Sequence, residues 1–292
     1  MGRRLAAEHP VARDVFAEAD AVLEAPLSRL CFEGPEDELV RTENAQPAIL
    51  ATSIAGYRAA AAEIDLRPSW LAGHSLGEYT ALVVAGALDF AAALRLVRLR
   101  GRLMQSAVAA GVGGMAAIIG LAEDEVAEIC ARACEGEVVE PANFNGASQV
   151  VIAGHRGAVA RAIDAARAAG GRTMELPVSA PFHCRLMAPA AAGLAEALAS
   201  VTVTPLTIPV IANVDAAPNA DAARVRDLLV AQVTAPVRWA ESMATLAGLG
   251  CVRAFEIGPG QVLTRLLQRM RLGIEATAAG EGEGWPALAS VA

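Results

Sequence analysis

The chain has 292 residues, enough for one large domain or a large domain with a smaller insert, and for a substantial buried core. Hydrophobic residues make up 54% of it but aromatics only 4%, so small aliphatic side chains packing helices closely onto a sheet are expected. The net charge of −8 argues against nucleic acid or an anionic membrane as a main partner, although a local arginine patch could still dock an acidic protein.

In chain order, residues 8–25 carry apolar positions at helical spacing, and a second helix is predicted over roughly 45–64, with Asn44 as a possible cap. A short strand, 69–73, turns sharply into a helix from about Gly77 to Ala87, and Asp89 opens a longer helix to about Ala109. Strand, tight turn, helix is an α/β signature. After Gly111 the pattern changes. Strands are predicted at 114–120, 138–145, 149–153 and 172–178, with helices at 122–135 and 158–169. That order, β-α-β-β-α-β, is a split βαβ unit of ferredoxin-like type. Strands at 208–213 and 252–257 then lead into turns and helices. The expected class is therefore α/β: a large α/β-hydrolase-like domain over 1–110 and 181–275, interrupted by a ferredoxin-like insert at 111–180. Residues 276–292, rich in Gly, Ala and Glu, read as a mobile tail.

Gly73-His74-Ser75-Leu76-Gly77 fits G-x-S-x-G between the short strand and its helix. The glycines permit a strained turn that lifts the Ser75 hydroxyl clear of the backbone, and the Leu76 amide at the helix start is placed to donate to an oxyanion. The bland alternative is a glycine-bounded cap in which Ser75 satisfies helix amides. A serine nucleophile needs a proton acceptor near neutrality. Of the four histidines, His9 lies in the N-terminal helical stretch, His74 adjoins the serine on the other side of the turn, and His155 sits at a helix start. His183, in a proline-stiffened segment after a strand, is the base candidate by elimination.

The helix over 92–108 carries four arginines. At about 100° per residue, Arg95, Arg98 and Arg102 share an arc of about 60°, while Arg100 lies about 140° from Arg95. Its neighbours there are Leu96, Leu103, Met104 and Ala107. An arginine on an apolar face must be paired. A structural ion pair to a core carboxylate and a fork for a substrate carboxylate fit equally well. The five cysteines, Cys31, Cys130, Cys134, Cys184 and Cys251, include no CxxC pair and read as reduced thiols of a cytoplasmic protein. No His/Cys cluster has zinc spacing, no signal peptide opens the chain, and no apolar run is long enough to span a bilayer.

Together these residues resemble the malonyl-CoA:acyl-carrier-protein transacylase family, from Arg3 to about Arg271. Gly73 to Tyr79 is similar to its nucleophile segment. Leu99 to Gln105 is similar to the segment whose arginine grips the malonyl carboxylate. Asn143-Phe144-Asn145 with Gln149 to Gly154 resembles its ferredoxin-like insert. Val178-Ser-Ala-Pro-Phe-His183 resembles its histidine loop, and Gln232 to Trp239 and Glu256 to Gly260 its remaining landmarks. The resemblance implies a Ser75–His183 pair without an aspartate, the histidine being oriented by a backbone carbonyl near Gln232. It implies Arg100 as carboxylate ligand, and Phe182 before His183 is similar to the malonyl-preferring pattern. Malonyl-CoA as substrate, acyl carrier protein as partner, no cofactor, a monomeric cytoplasmic enzyme and a place in fatty acid biosynthesis are implied with it. The family begins with an apolar strand and a turn whose glutamine helps form the oxyanion hole. The sequence starts beyond that point, at Met1-Gly2-Arg3-Arg4, so the expectation is either a shortened version of a longer chain or an impaired enzyme. The rival readings are a serine thioesterase or esterase, a free-standing polyketide acyltransferase, and a non-catalytic carrier-protein-binding remnant.

Overall fold

The computed structural model describes residues 1–178 and 180–280, together with Trp285 and Leu288. Helices α1 (Arg3–Glu8) and α2 (Pro10–Leu23) replace the single helix expected over 8–25. His9 is extended, at φ −121° and ψ 113°, because the residue before a proline is barred from helical geometry, and Pro10 then opens α2. Helices α3 (Leu27–Glu33), α4 (Glu36–Leu39) and α5 (Thr42–Glu63) follow. Asn44 is not the cap of α5. Arg41 holds that position, and Asn44 Nδ2 instead donates to the Glu38 carbonyl. Strand β1 (Leu71–Ala72) leads into α6 (Leu76–Val84), then α7 (Phe90–Ser106), whose N-cap Asp89 accepts from the Ala92 amide. Gly101 lets α7 lie against α5: a Cβ there would sit 2.6 Å from Glu43 Cα.

Next come β2 (Gly113–Ile119), α8 (Glu123–Ala133), β3 (Val139–Gly146), β4 (Gln149–His155), α9 (Arg156–Ala168) and β5 (Arg172–Glu175). They form an antiparallel sheet in the order β3-β4-β2-β5. Alternation divides its two faces. Ile118, Val150 and Ile152 point to Val126, Ile129, Val159 and Ile163 on α8 and α9, where each buried aliphatic side chain contributes ~1.5–3 kcal/mol. Met115, Ala117, Val151 and Ala153 point the other way, onto Cys184 and the segment around Phe182. The sheet therefore has one face for its own helices and one that packs against the segment bearing His183. The last strand ends at Glu175, three residues short of the expected Val178.

The chain continues through α10 (Ala188–Ala199), β6 (Val210–Ile211), β7 (Pro218–Asn219), α11 (Ala222–Thr234), α12 (Trp239–Gly248), β8 (Arg253–Glu256), α13 (Val262–Met270) and β9 (Glu275–Ala278). β1 and β6 are parallel neighbours, β6 and β7 antiparallel, and β8 and β9 a separate parallel pair. The expectation of a mobile tail from Ala276 is corrected at its first residues. Ala276–Ala278 pair with Ala254–Glu256, and Ala279 is fully buried. Its composition hid a strand because small residues are what a close parallel partner accommodates. Most of 281–292 lies outside the described residues, as does Ser179.

Candidate functional site

Ser75 and Asn213 each lie just past the C-terminal end of a strand, β1 and β6, which run side by side in parallel. The crevice at the carboxyl ends of parallel strands is where such sheets place ligand-binding groups. Ser75 has φ 51° and ψ −102°, a conformation disfavoured for any residue with a Cβ, so the surrounding structure must hold it. Two contacts do so. Asn213 Oδ1 accepts from the Ser75 amide at 2.6 Å, while its Nδ2 donates to the Gly73 carbonyl at 2.8 Å. Gly73 is required for space: a Cβ on it would lie 2.0 Å from the carbonyl carbon of Gly77. The Ser75 side chain makes no capping bond to α6, which removes the helix-cap alternative.

The hydroxyl is instead turned to His183 and Arg100. Ser75 Oγ lies 2.8 Å from His183 Nε2. His183 is itself strained, at φ 58°, and is 4% exposed. Its segment is pinned at both ends. Cys184 Sγ donates to the Pro181 carbonyl, and the Arg185 amide donates to Glu140 on β3 at 2.9 Å. His183 Nδ1 lies 2.8 Å from the Gln232 backbone carbonyl, which can only accept. The proton is therefore on Nδ1, and Nε2 presents a lone pair to the serine. Burial, followed by the positive Arg100 nearby, pushes the imidazole pKa down to about 3, so the ring is a neutral base. The other histidines are engaged elsewhere. His9 Nδ1 lies 3.0 Å from Glu63, and His155 Nδ1 accepts from the Val138 amide. His74 Nε2 lies 2.9 Å from Asn145 Oδ1 of β3, tying the turn to the inserted sheet.

Arg100, 2% exposed, is brought from α7 to the nucleophile. Its Nη2 donates to Ser75 Oγ at 3.0 Å and to Gln232 Oε1 at 2.9 Å, and its Nη1 donates to Gln46 Oε1 at 2.8 Å. Its guanidinium carbon lies over the Tyr79 ring, 5.4 Å from the centroid. Its hydrogen bonds go to neutral groups, and the buried Glu78 carboxylate is linked to it through Gln232 rather than by a direct ion pair. The guanidinium is held by neutral amides beside the serine, and burial keeps its pKa below the usual arginine value. A buried cation with no contacting counter-charge favours an anionic ligand.

The structure brings Ser75, His183, Arg100 and Gln232 into one hydrogen-bonded group. The Leu76 amide is the first of α6, at a helix N-terminus whose first amides have no intrahelical partner. Sequence reasoning missed three members. Asn213 stood at the end of a predicted strand and could have been found by pairing that strand with β1. Gln46 is the polar residue in the apolar run of α5. Glu78 lies in the first turn of α6, where an acidic residue is ordinary in sequence. Its Oε2 accepts from the Asn213 amide at 3.0 Å and from Gln232 Nε2 at 2.7 Å, and burial raises its pKa to about 7. Among the described residues no group of three His, Cys, Asp or Glu side chains is arranged to hold a metal ion.

Residues 1–276 match the family model described as an acyl transferase domain. The chain is 48% identical over 278 residues to the malonyl CoA-acyl carrier protein transacylase of Escherichia coli K12, covering 95% of this chain and 90% of that protein. It is 42% identical to the protein of the same name in Bacillus subtilis strain 168, covering 97% and 90%. Among solved structures it resembles a malonyl-transacylase in complex with a type II polyketide acyl-carrier protein. The TM-score is 0.97, with 44% identity and coverage of 100% of this chain and 95% of that one. The Burkholderia pseudomallei acyl-carrier-protein S-malonyltransferase gives a TM-score of 0.94 with 44% identity, covering 97% and 92%.

Proposed function

We propose, from the premise that this chain belongs to the acyl transferase domain family, that it works through Ser75 as nucleophile and His183 as base, with Arg100 as the acyl-group selector. The enzyme transfers a malonyl group from malonyl-CoA to the phosphopantetheine thiol of acyl carrier protein. The observation that carries the assignment of residues is the pair of contacts at one hydroxyl oxygen: 2.8 Å to His183 Nε2 and 3.0 Å to Arg100 Nη2.

In the first half-reaction His183 Nε2 takes the Ser75 proton as Oγ attacks the thioester carbonyl. The developing oxyanion meets the Leu76 amide. The C–S bond breaks, the proton passes from His183 to the departing CoA thiolate, and a malonyl ester of Ser75 remains. The second half runs in reverse with the carrier thiol as nucleophile. His183 now takes the thiol proton and returns it to Ser75 Oγ. The Gln232 carbonyl holds the imidazole in the required tautomer throughout and steadies the cation that forms. The proton and acyl transfers balance with these residues and the two thiols, so the reading needs no cofactor.

Arg100 gives the site its preference for a charged acyl group. A malonyl carboxylate can take two guanidinium bonds, whereas acetyl leaves the buried cation held by neutral groups without a contacting counter-charge. The acyl carrier protein as acceptor, fatty acid biosynthesis as pathway and the cytoplasm as compartment complete the reading. Among the described residues no helix is long and apolar enough to cross a membrane. The test is direct. After mixing with malonyl-CoA, an acid quench and peptide mapping by mass spectrometry should show a malonyl increment on the Ser75 peptide and none in Ser75→Ala. A wild-type Ser75 peptide that stays unmodified overturns the reading.

A further inference from the structure

Glu78 is a buried carboxylate, 3% exposed, for which the reaction above has no task. Its Oε2 sits where two lines of contact meet. One leads through the Asn213 amide, 3.0 Å away, to the side chain that clamps the Ser75 turn. The other leads through Gln232 Nε2, 2.7 Å away, to Arg100 and His183.

The Gln232 link is directional. A primary amide has one accepting and one donating end. Gln232 Nε2 faces three acceptors, Glu78 Oε2 at 2.7 Å, the Ser75 carbonyl at 3.0 Å and Asn213 Oδ1 at 3.5 Å. Its Oε1 is thereby turned to Arg100 Nη2 at 2.9 Å. Were the amide reversed, two N–H groups would confront the guanidinium. Glu78 Oε2 accepts from both the Asn213 amide and Gln232 Nε2, so it sets the polarity of Gln232, whereas an amide in its place could turn an N–H toward them. Glu78 makes no direct hydrogen bond to Arg100, so its link to the guanidinium runs through Gln232.

We propose that Glu78 is a positioning residue for acyl selection: through Gln232 it holds the Arg100 guanidinium facing the Ser75 hydroxyl. This inference rests on the malonyl-transfer reading. The experiment compares acylation of Ser75 by malonyl-CoA and by acetyl-CoA, followed by quenched mass spectrometry, in the wild type and in Glu78→Gln. Glu78→Gln keeps the shape, removes the charge that strengthens both bonds, and can present an N–H where only acceptors stood. The expected result is a malonyl-over-acetyl preference reduced ~10- to 100-fold, the range set by one hydrogen bond to a charged group. Glu78→Gln should add little in a Gln232→Leu background, because both changes act on one link.

An equal loss of rate with both acyl donors, or an unchanged preference, overturns the proposal, since a merely structural role would not move the ratio. If Glu78→Gln does not fold, Gln232→Leu alone reads the same link, and an unchanged preference in it also overturns the proposal. A wild type that takes no malonyl group from malonyl-CoA would instead strike the underlying reading.

Discussion

His183 is kept neutral first by burial and then by the positive charge of Arg100. Replacing His183 by Ala should slow Ser75 acylation ~100- to 10,000-fold, the usual worth of a general base, as measured by rapid quench. Retention of the wild-type rate would remove it from the mechanism. Arg100→Met should have two separate effects. It should abolish the preference for malonyl over acetyl. It should also move the acid limb of acetyl loading to higher pH, because a neighbouring positive charge that opposes protonation of His183 has gone. An unshifted limb would contradict this coupling. The sign for stability follows from linkage. His183 has a folded-state value of about 3 against an ordinary 6.5, so between those values the unfolded chain binds more protons at this site. Its contribution to stability is present above pH 6.5 and is lost as pH falls through that window. Ser75 was legible from its motif, His183 by elimination and Arg100 from its place on an apolar face. Asn213, Gln46 and Glu78 were not legible as site members, because each is a single polar residue whose meaning comes from partners far away in sequence.

The turn between β1 and α6 is the element on which the site depends, and its glycines are not equivalent. Gly73→Ala must push a Cβ into the Gly77 carbonyl carbon, 2.0 Å away, and should lower stability by at least the ~1–3 kcal/mol typical of overpacking. Gly77 has nothing within 4 Å of its Cβ position, and Ala there should be neutral or stabilising by up to ~1 kcal/mol, as for other helical glycines. Thermal or denaturant unfolding of the two variants tests the contrast, and equal destabilisation would contradict it. Elements with long periodicity were readable from the sequence, including α5, α7, α8, α9 and the strands β2 to β4. Boundaries were not, because Pro10 splits one helix and the sheet pairings of β1 and β6 last only two residues each. β9 escaped notice because Glu-Ala-Thr-Ala is only four residues long and its apolar members are alanines, so its pairing with β8 defines it instead.

On the scale of the whole molecule, the inserted sheet is tied to the remainder through backbone as well as side chains. The Phe144 amide donates to the Val237 carbonyl and the Val237 amide to the Ala142 carbonyl, each at 2.9 Å, while His74 meets Asn145. Hydrogen exchange should find the Phe144 and Val237 amides as slow as the Leu71 amide that joins β1 to the β6 side. Much faster exchange at both would mean that the two parts open independently. The charge balance and the α/β alternation could be read along the chain, but this seam could not, since it joins residues about ninety positions apart by backbone groups that every sequence possesses. The most direct measurement of the central claim is a chase of isolated malonyl-enzyme, labelled in the malonyl group, with and without phosphopantetheinylated acyl carrier protein. The account predicts that label leaves Ser75 and appears on the carrier thiol in equal amount, while the enzyme in buffer alone retains it. Loss of label to water at the same rate with or without the carrier would contradict it and make the protein a hydrolase.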